Sequence, residues 1–285
     1  MHPTRRQALV AALAIAGAPV PVAVRAQASS DFEAALRAAV GGAHRSAANR
    51  ARDGARHPLE TLRFLGLQPE LTVIELAPGG GWYTEILAPV LRERGRLIAA
   101  HYARDSADEG RRRSRASFEA KLAYEPALYD RVQVGTLPRS TEFTDPPVDG
   151  RADMVLTFRN VHNWLEDGHL DATLAACHRA LKPGGVLGVE EHRAAPGTPL
   201  ETMMKSGYVT EALMEERARA AGFTLAARSE VNANPRDTKD HPNGVWSLPP
   251  TLRGAGADQP AERARVLAIG ESDRFTHRYV KAARA

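Results

Sequence analysis

The chain has 285 residues, 43% hydrophobic and 25% charged, a balance that belongs to a folded globular protein and excludes a disordered or fibrous one. Its formal net charge is +4, but Arg5, Arg6 and Arg25 lie in the first 28 residues, where there is no acid, so the remainder is nearly neutral. No long Lys/Arg run with interleaved aromatics points to nucleic acid. The single cysteine, Cys177, excludes an intrachain disulfide and lies on an apolar helical stripe, as a core residue would.

In chain order, the first segment reads as a targeting signal. Arg5-Arg6 form a positive n-region, Ala8 to Val24 an apolar run and Ala26-Gln27-Ala28 a small-x-small cleavage site. The run is too short and too rich in Gly and Pro to span a membrane. Residues 1–28 are therefore expected to be an export signal, with a periplasmic mature protein that has no stable membrane insertion. Thr4-Arg5-Arg6 resembles a twin-arginine signal, although Ala8 stands where an aromatic is usual.

Residues 29–69 read as a helical cap. Phe32, Leu36 and Val40 recur every four residues, Gly41-Gly42 interrupts, a second helix is expected over Ala43–Arg52, and Pro58 opens a third that ends at Leu65. Leu71 to Leu76 is a short, β-branched apolar run, which reads as a buried strand. It ends in Pro78-Gly79-Gly80-Gly81, where the backbone can turn sharply and approach a ligand. Tyr83, Ile86, Leu87, Val90 and Leu91 then fall on one helical face, with Pro89 inside it. Further strands are expected at Arg96–Ala100, Arg131–Val134, Ala152–Phe158, Val186–Val189 and Phe223–Val231, with a seventh around Val245–Leu248. The charged segment 103–121, with Arg111-Arg112-Arg113, reads as a solvated helix face. Helices are expected at Leu170–Leu181 and Thr210–Ala221, with Thr210 as N-cap and Gly222 as C-cap. Strands alternating with helices imply a doubly wound, mostly parallel seven-stranded sheet, with residues 252–285 as a tail.

Several of these residues carry a family likeness. Glu75-x-Ala77-x-Gly79-x-Gly81 resembles motif I of the class I S-adenosylmethionine-dependent methyltransferases. The Leu-Lys-Pro-Gly-Gly run at 181–185 and the helix before Gly222-Phe223 are similar to features of that superfamily. Phe158-Arg159-Asn160 resembles the segment after the fourth strand in quinone C-methyltransferases. Together with Asp237–Pro242 and Gly270–Arg274, these motifs look like a family of exported, uncharacterised methyltransferases. The likeness implies a methyltransferase domain over residues 70–251 and S-adenosylmethionine as cofactor. It implies cofactor contacts from Glu75, Ala77, Gly79, Gly80, Gly81, Tyr83, His101 and Thr157, with Glu75 holding the glycine loop or the methionyl ammonium.

Two positions depart from that pattern. His101 stands where the superfamily has an acid that grips both ribose hydroxyls, and a neutral imidazole accepts only one hydrogen bond. Gly135-Thr136 replaces the acid near the adenine. Ala77 in place of the first glycine is tolerable if its φ stays negative. A dinucleotide fingerprint fits less well, since the third glycine position holds Thr84 or Trp82 and the second-strand acid is absent.

The remaining candidates for chemistry lie at strand ends and on loops. His162 is the best general base, since an imidazole titrates near neutrality. Its bland alternative is a histidine that only orients the loop. Arg159 and Asn160 suit substrate or cofactor binding. His192 follows Glu190-Glu191 at a strand end, and His241 lies on a long polar loop that is expected to fold over the site. No pair of these histidines has local metal-ligand spacing, and no metal is expected. The expected function is methyl transfer from S-adenosylmethionine to a small molecule. The rival is a periplasmic methyltransferase fold that binds a ligand without turnover, because the cofactor is made in the cytoplasm.

Overall fold

In a computed structural model the chain forms a seven-stranded sheet with helices on both faces; residues 22–283 are described, with side chains from Ser30 onward. The export-signal reading of residues 1–28 falls almost wholly outside them. The first described helix, α1 (Val22–Gly41), already includes Ala26–Ala28. Among the described residues no helix is long and apolar enough to cross a membrane.

Three short helices follow α1: α2 (Ala47–Arg50), α3 (Asp53–Arg56) and α4 (Pro58–Leu65). The helix expected over residues 43–52 is shortened to α2, and α3 begins just beyond that span. Pro58 occupies the first turn of α4 and Gly66, at φ +88°, caps its end. The sheet then begins with β1 (Thr72–Leu76), α5 (Thr84–Leu91), β2 (Arg96–His101), α6 (Glu109–Tyr124), α7 (Pro126–Tyr129) and β3 (Gln133–Thr136). The second half holds β4 (Ala152–Phe158), α8 (Val161–Glu166), α9 (Leu170–Ala180), β5 (Leu181–His192), α10 (Leu200–Ser206), α11 (Glu211–Ala220), β6 (Phe223–Ser229), α12 (Pro260–Ile269) and β7 (Arg274–Lys281). Lys182–Gly185 bulge out within β5: Leu181 pairs with Ala152 and Val186 with Met154, and Gly184 lies at φ +80°. Thr210 caps α11 by accepting from the Leu213 N–H.

The strand order is β3-β2-β1-β4-β5-β7-β6. The first five strands are parallel, whereas β7 runs antiparallel to both β5 and β6, so the sheet is mixed. The seventh strand expected at Val245–Leu248 is instead a single 3-10 turn, Gly244–Ser247. The real one lies in what reads as a tail, because Phe275 and Tyr279 face the core while buried polar residues share the same strand. Its mixed composition hides it from a periodicity argument.

Alternate side chains of each strand enter opposite layers. Ile74, Leu76, Val155, Leu187 and Val189 pack with Trp164, Leu174 and Cys177 on one face. Val73, Met154 and Leu156 pack with Leu36, Leu62, Leu65 and Leu87 on the other. The N-terminal helices therefore contribute to the core on that face. Gly188 on β5 lies against α4: a Cβ there would lie 2.7 Å from Leu156 and 2.9 Å from Leu65.

Gly188→Ala is accordingly expected to destabilise the fold by about 1–3 kcal/mol through overpacking. Urea unfolding checks this, and an unchanged midpoint would show that α4 does not press on the sheet.

Candidate functional site

The strand order changes direction between β1 and β4, and their carboxyl ends open the crevice where ligands of such sheets sit. After β1, Ala77-Pro78 leads into the glycine loop. Ala77 lies at φ +46°, Gly79 at +57° and Gly81 at +80°. The expectation that Ala77 keeps a negative φ is therefore corrected: it adopts the left-handed region, which is unfavourable for a residue with a Cβ. Its N–H donates to the Ala100 carbonyl at 2.8 Å, which holds it there.

A Cβ added at Gly79 or Gly80 would meet nothing within 4 Å, so both face open space. Among the described residues neither N–H donates to another backbone group. Gly81 instead backs onto Phe118 of α6. From the same helix Lys121 Nζ donates to the Gly80 carbonyl at 2.8 Å and to Glu85 at 2.6 Å.

Glu75 is buried at the end of β1 and accepts from the Thr84 hydroxyl at 2.6 Å. It holds the start of α5, which is the loop-holding role. Burial pushes its carboxyl up to about 7. His101 is fully buried; its Nε2 lies 3.2 Å from the Gly79 carbonyl and its Nδ1 accepts from the Tyr102 N–H at 2.8 Å. Both ring nitrogens thus lie against backbone groups of the glycine corner and of β2's end. Burial holds it below the usual histidine range. Beside it, at the ends of β2 and β3, Tyr102, Ala103, Ala107, Leu137 and Pro138 help line a cavity of about 360 Å³.

After β4, Arg159 also adopts a left-handed φ, +59°. Asn160 Nδ2 lies within reach of the Leu76 carbonyl at 3.2 Å and of Thr157 Oγ1 at 3.3 Å, so it ties the ends of β1 and β4 together. Thr157 is buried under that contact. Tyr83 stacks on Phe158 at 3.5 Å and donates its hydroxyl to Glu190 at 3.1 Å. Glu190, fully buried, accepts from Arg159 and Arg274 at 2.9 Å each. Burial alone would raise this carboxyl, but Arg159, Arg274 and Arg56 outweigh it and keep it below the usual range.

Arg159, His162 and His192 line one cleft of about 280 Å³, with Trp246 and two N-terminal arginines, Arg52 and Arg56. His162 Nδ1 is 2.9 Å from Glu191. A carboxylate only accepts, so this bond calls for a proton on Nδ1, and in the neutral imidazole Nε2 then has a free lone pair. The His162 and His192 rings are 5.1 Å apart, and His192 Nδ1 is 2.5 Å from Ser272 Oγ. Burial, then neighbouring His162 and Arg159, hold His192 well below the usual histidine range.

His162, Glu191 and His192 offer ligand atoms within 4.8 Å of one another. Glu191 already accepts from the Val161 N–H at 2.5 Å, the His162 N–H at 3.3 Å and the His192 N–H at 2.8 Å, besides the imidazole. These bonds orient this corner of the cleft.

The polar loop that carries His241 does reach the cleft, but His241 itself is not among the residues that line it. His241 is buried against Asp237, Nε2 to Oδ1 at 2.9 Å, and Asp237 also accepts from the Tyr208 hydroxyl at 2.9 Å. That pair braces the loop that delivers Val245, Trp246 and Pro249 to the cleft. Sequence reasoning missed Arg52, Arg56, Trp246, Glu271 and Ser272 as site residues. The last two lie in the Gly270–Arg274 motif, so a signal for them existed. Arg52 and Arg56 carried none.

Trp82 anchors the helices that bring those arginines. Its ring lies between Arg45 and Arg56, each 4.8 Å from the centroid, and its Nε1 donates to the Asn49 carbonyl at 3.1 Å.

No protein-family model and no curated protein matches the sequence. Solved structures share the fold. A SAM-dependent methyltransferase from Aquifex aeolicus is 19% identical over 64% of this chain and 87% of its own, with a TM-score of 0.50. The [4+2]-cyclase SpnF is 18% identical over 90% and 94%, with a TM-score of 0.54. The carbon methyltransferase of CurJ is 14% identical over 88% and 59%, with a TM-score of 0.50. At these identities the likeness is one of fold.

The buried Glu75 predicts a pH effect. An acid raised in the folded state favours folding when protonated, so its contribution is present below about pH 4.3 and is lost as pH rises to about 7. Glu75→Gln should therefore become more stable relative to the parent chain, by about 1–3 kcal/mol, between about pH 5 and about pH 8. Denaturation curves at both pH values check it; a constant difference would refute the assignment.

Proposed function

We propose that this chain is an S-adenosylmethionine-dependent methyltransferase acting on a small molecule. The observation that carries the reading is the glycine loop at the end of β1, with Gly79 and Gly80 facing open space and their N–H groups uncommitted. Two such donors suit the methionyl carboxylate. The cavity beside Tyr102 and Leu137 is roomy and apolar enough for an adenine. Between the two, the chain offers no acid at the end of β2, so the ribose has no carboxylate grip here. The residues therefore fit the cofactor at both ends and less well in the middle.

When bound, S-adenosylmethionine supplies an electrophilic methyl group. The chain supplies binding, orientation and a proton acceptor. Glu191 holds His162 with its proton on Nδ1, so Nε2 takes the proton of the attacking group. Arg159 and Glu190 are held rigid by each other, and Asn160 fixes the distance between the two loops. Alignment of the reacting groups is the larger part of such catalysis.

A second reading is kept alive by the likeness to SpnF, a cyclase on the same fold, since chemistry lives in the site and not in the fold. In that reading the crevice binds a ligand without methyl transfer, and the engaged His101 and the left-handed Ala77 are marks of a changed cofactor corner. We also propose export through the signal at residues 1–28. Amino-terminal sequencing of the expressed chain checks this: processing after Ala28 supports it, and an intact start counts against it.

Calorimetric titration with S-adenosylmethionine and S-adenosylhomocysteine separates the two functional readings. Binding in the micromolar to low millimolar range, abolished by Gly79→Val, is the expected result. No heat from either compound would refute the methyltransferase reading. Once a substrate is identified, His162→Ala should lower kcat by about 10²–10⁴ with little change in KM.

A further inference from the structure

Four guanidinium groups gather at the cleft, and the protein answers them incompletely. Arg52, Arg56 and Arg159 line it, and Arg274 lies behind them, fully buried. Two carboxylates pair with all four. Glu190 takes Arg159 and Arg274. Glu271 takes Arg52 at 2.7 Å and Arg56 at 3.1 Å, and lies 3.4 Å from Arg274. Glu191, the third acid in this region, accepts only from the N–H groups of Val161, His162 and His192. Even with Glu191 counted, cations outnumber anions.

One donor is left without an acceptor. Arg52 Nη2 is buried and makes no hydrogen bond. A buried guanidinium donor without a partner is unfavourable by the full loss of its hydration. Arg56 reports the same excess: burial first, then Arg159 beside it, pull its guanidinium down to about 9 in spite of Glu271. The opposite wall is apolar, formed by Val245, Trp246, Pro249 and Pro250. An apolar wall facing a few convergent polar groups is the usual make-up of a small-molecule site.

We propose that this cleft selects a small molecule that carries an anionic group, carboxylate or phosphate, on an apolar or aromatic body. Arg52 and Arg159 hold the anion, and Trp246 with the proline pair covers the body. The acceptor atom then faces His162. The planar fork of arginine suits either anion. The identity of the ligand as a methyl acceptor rests on the methyltransferase reading, whereas its binding rests on the cleft alone.

The test is calorimetry on the whole chain with benzoate, benzamide and inorganic phosphate. Benzoate should bind at least about tenfold more tightly than its neutral amide, and the affinity should fall as sodium chloride is added. Phosphate is titrated separately and in competition. Tighter binding of phosphate than of benzoate assigns a phosphoryl group, and the reverse assigns a carboxylate. Arg52→Gln should weaken the preferred anion by about tenfold or more, with Arg52→Lys recovering part of the loss, while S-adenosylhomocysteine binds as before. Equal affinity for benzoate and benzamide, or no binding of either anion at about 10 mM, overturns the proposal without any variant having to fold. Failure of S-adenosylhomocysteine to bind is a separate result that strikes the cofactor reading and not the anion site.

Discussion

The Glu190 carboxylate is the constraint on which the rest of the site depends. It sits at the end of β5 with no exposure, and it receives Arg159 from the loop after β4, Arg274 from the start of β7 and the Tyr83 hydroxyl from the loop after β1. One acid therefore fixes three loop ends around the crevice. Breaking a buried ion pair of this kind costs about 3–5 kcal/mol, because the partner is left charged and unpaired. The same pairing explains how Arg159 persists at a left-handed φ. Its N–H is bonded to the Glu190 carbonyl at 2.7 Å and its guanidinium to the same residue's side chain. Strain of this sort survives only where surrounding contacts over-determine it.

A matching strain lies on the other side of the crevice, at Ala77. The two left-handed residues follow β1 and β4, the two strands between which the sheet changes direction. Asn160 links them by reaching the Leu76 carbonyl. His101 and Lys121 clamp the glycine loop from β2 and α6 through the Gly79 and Gly80 carbonyls. The loop is thus shaped before any ligand arrives, and its free N–H groups are held in place. Pre-organisation lowers the ordering penalty of binding.

The N-terminal helices are more than a cover. They bring Arg45, Arg52 and Arg56 against Trp82 and Glu271, so the cleft has walls from both ends of the chain. Residues 47–56 and 271–274 meet there although more than 200 positions separate Arg52 from Glu271. Without the N-terminal helices the sheet would keep the glycine corner but not this charged wall. The wall decides what kind of molecule can lie beside His162.

The sequence by itself determined the alternation of strands and helices, the glycine corner and the candidacy of Arg159, Asn160, His162 and His192. Those features are local: a β-branched run, a glycine triplet and a strand-end cluster each announce themselves within a dozen residues. Only the tertiary structure decided what those residues do. His101 turned out to be bonded to backbone on both nitrogens, His241 to brace a loop, and residues 274–281 to be a core strand that carries Arg274 into the site. Partners distant in sequence make these assignments. A side chain's role is set by the hydrogen-bond acceptors and charges that long-range packing places around it, and no periodicity or spacing records those.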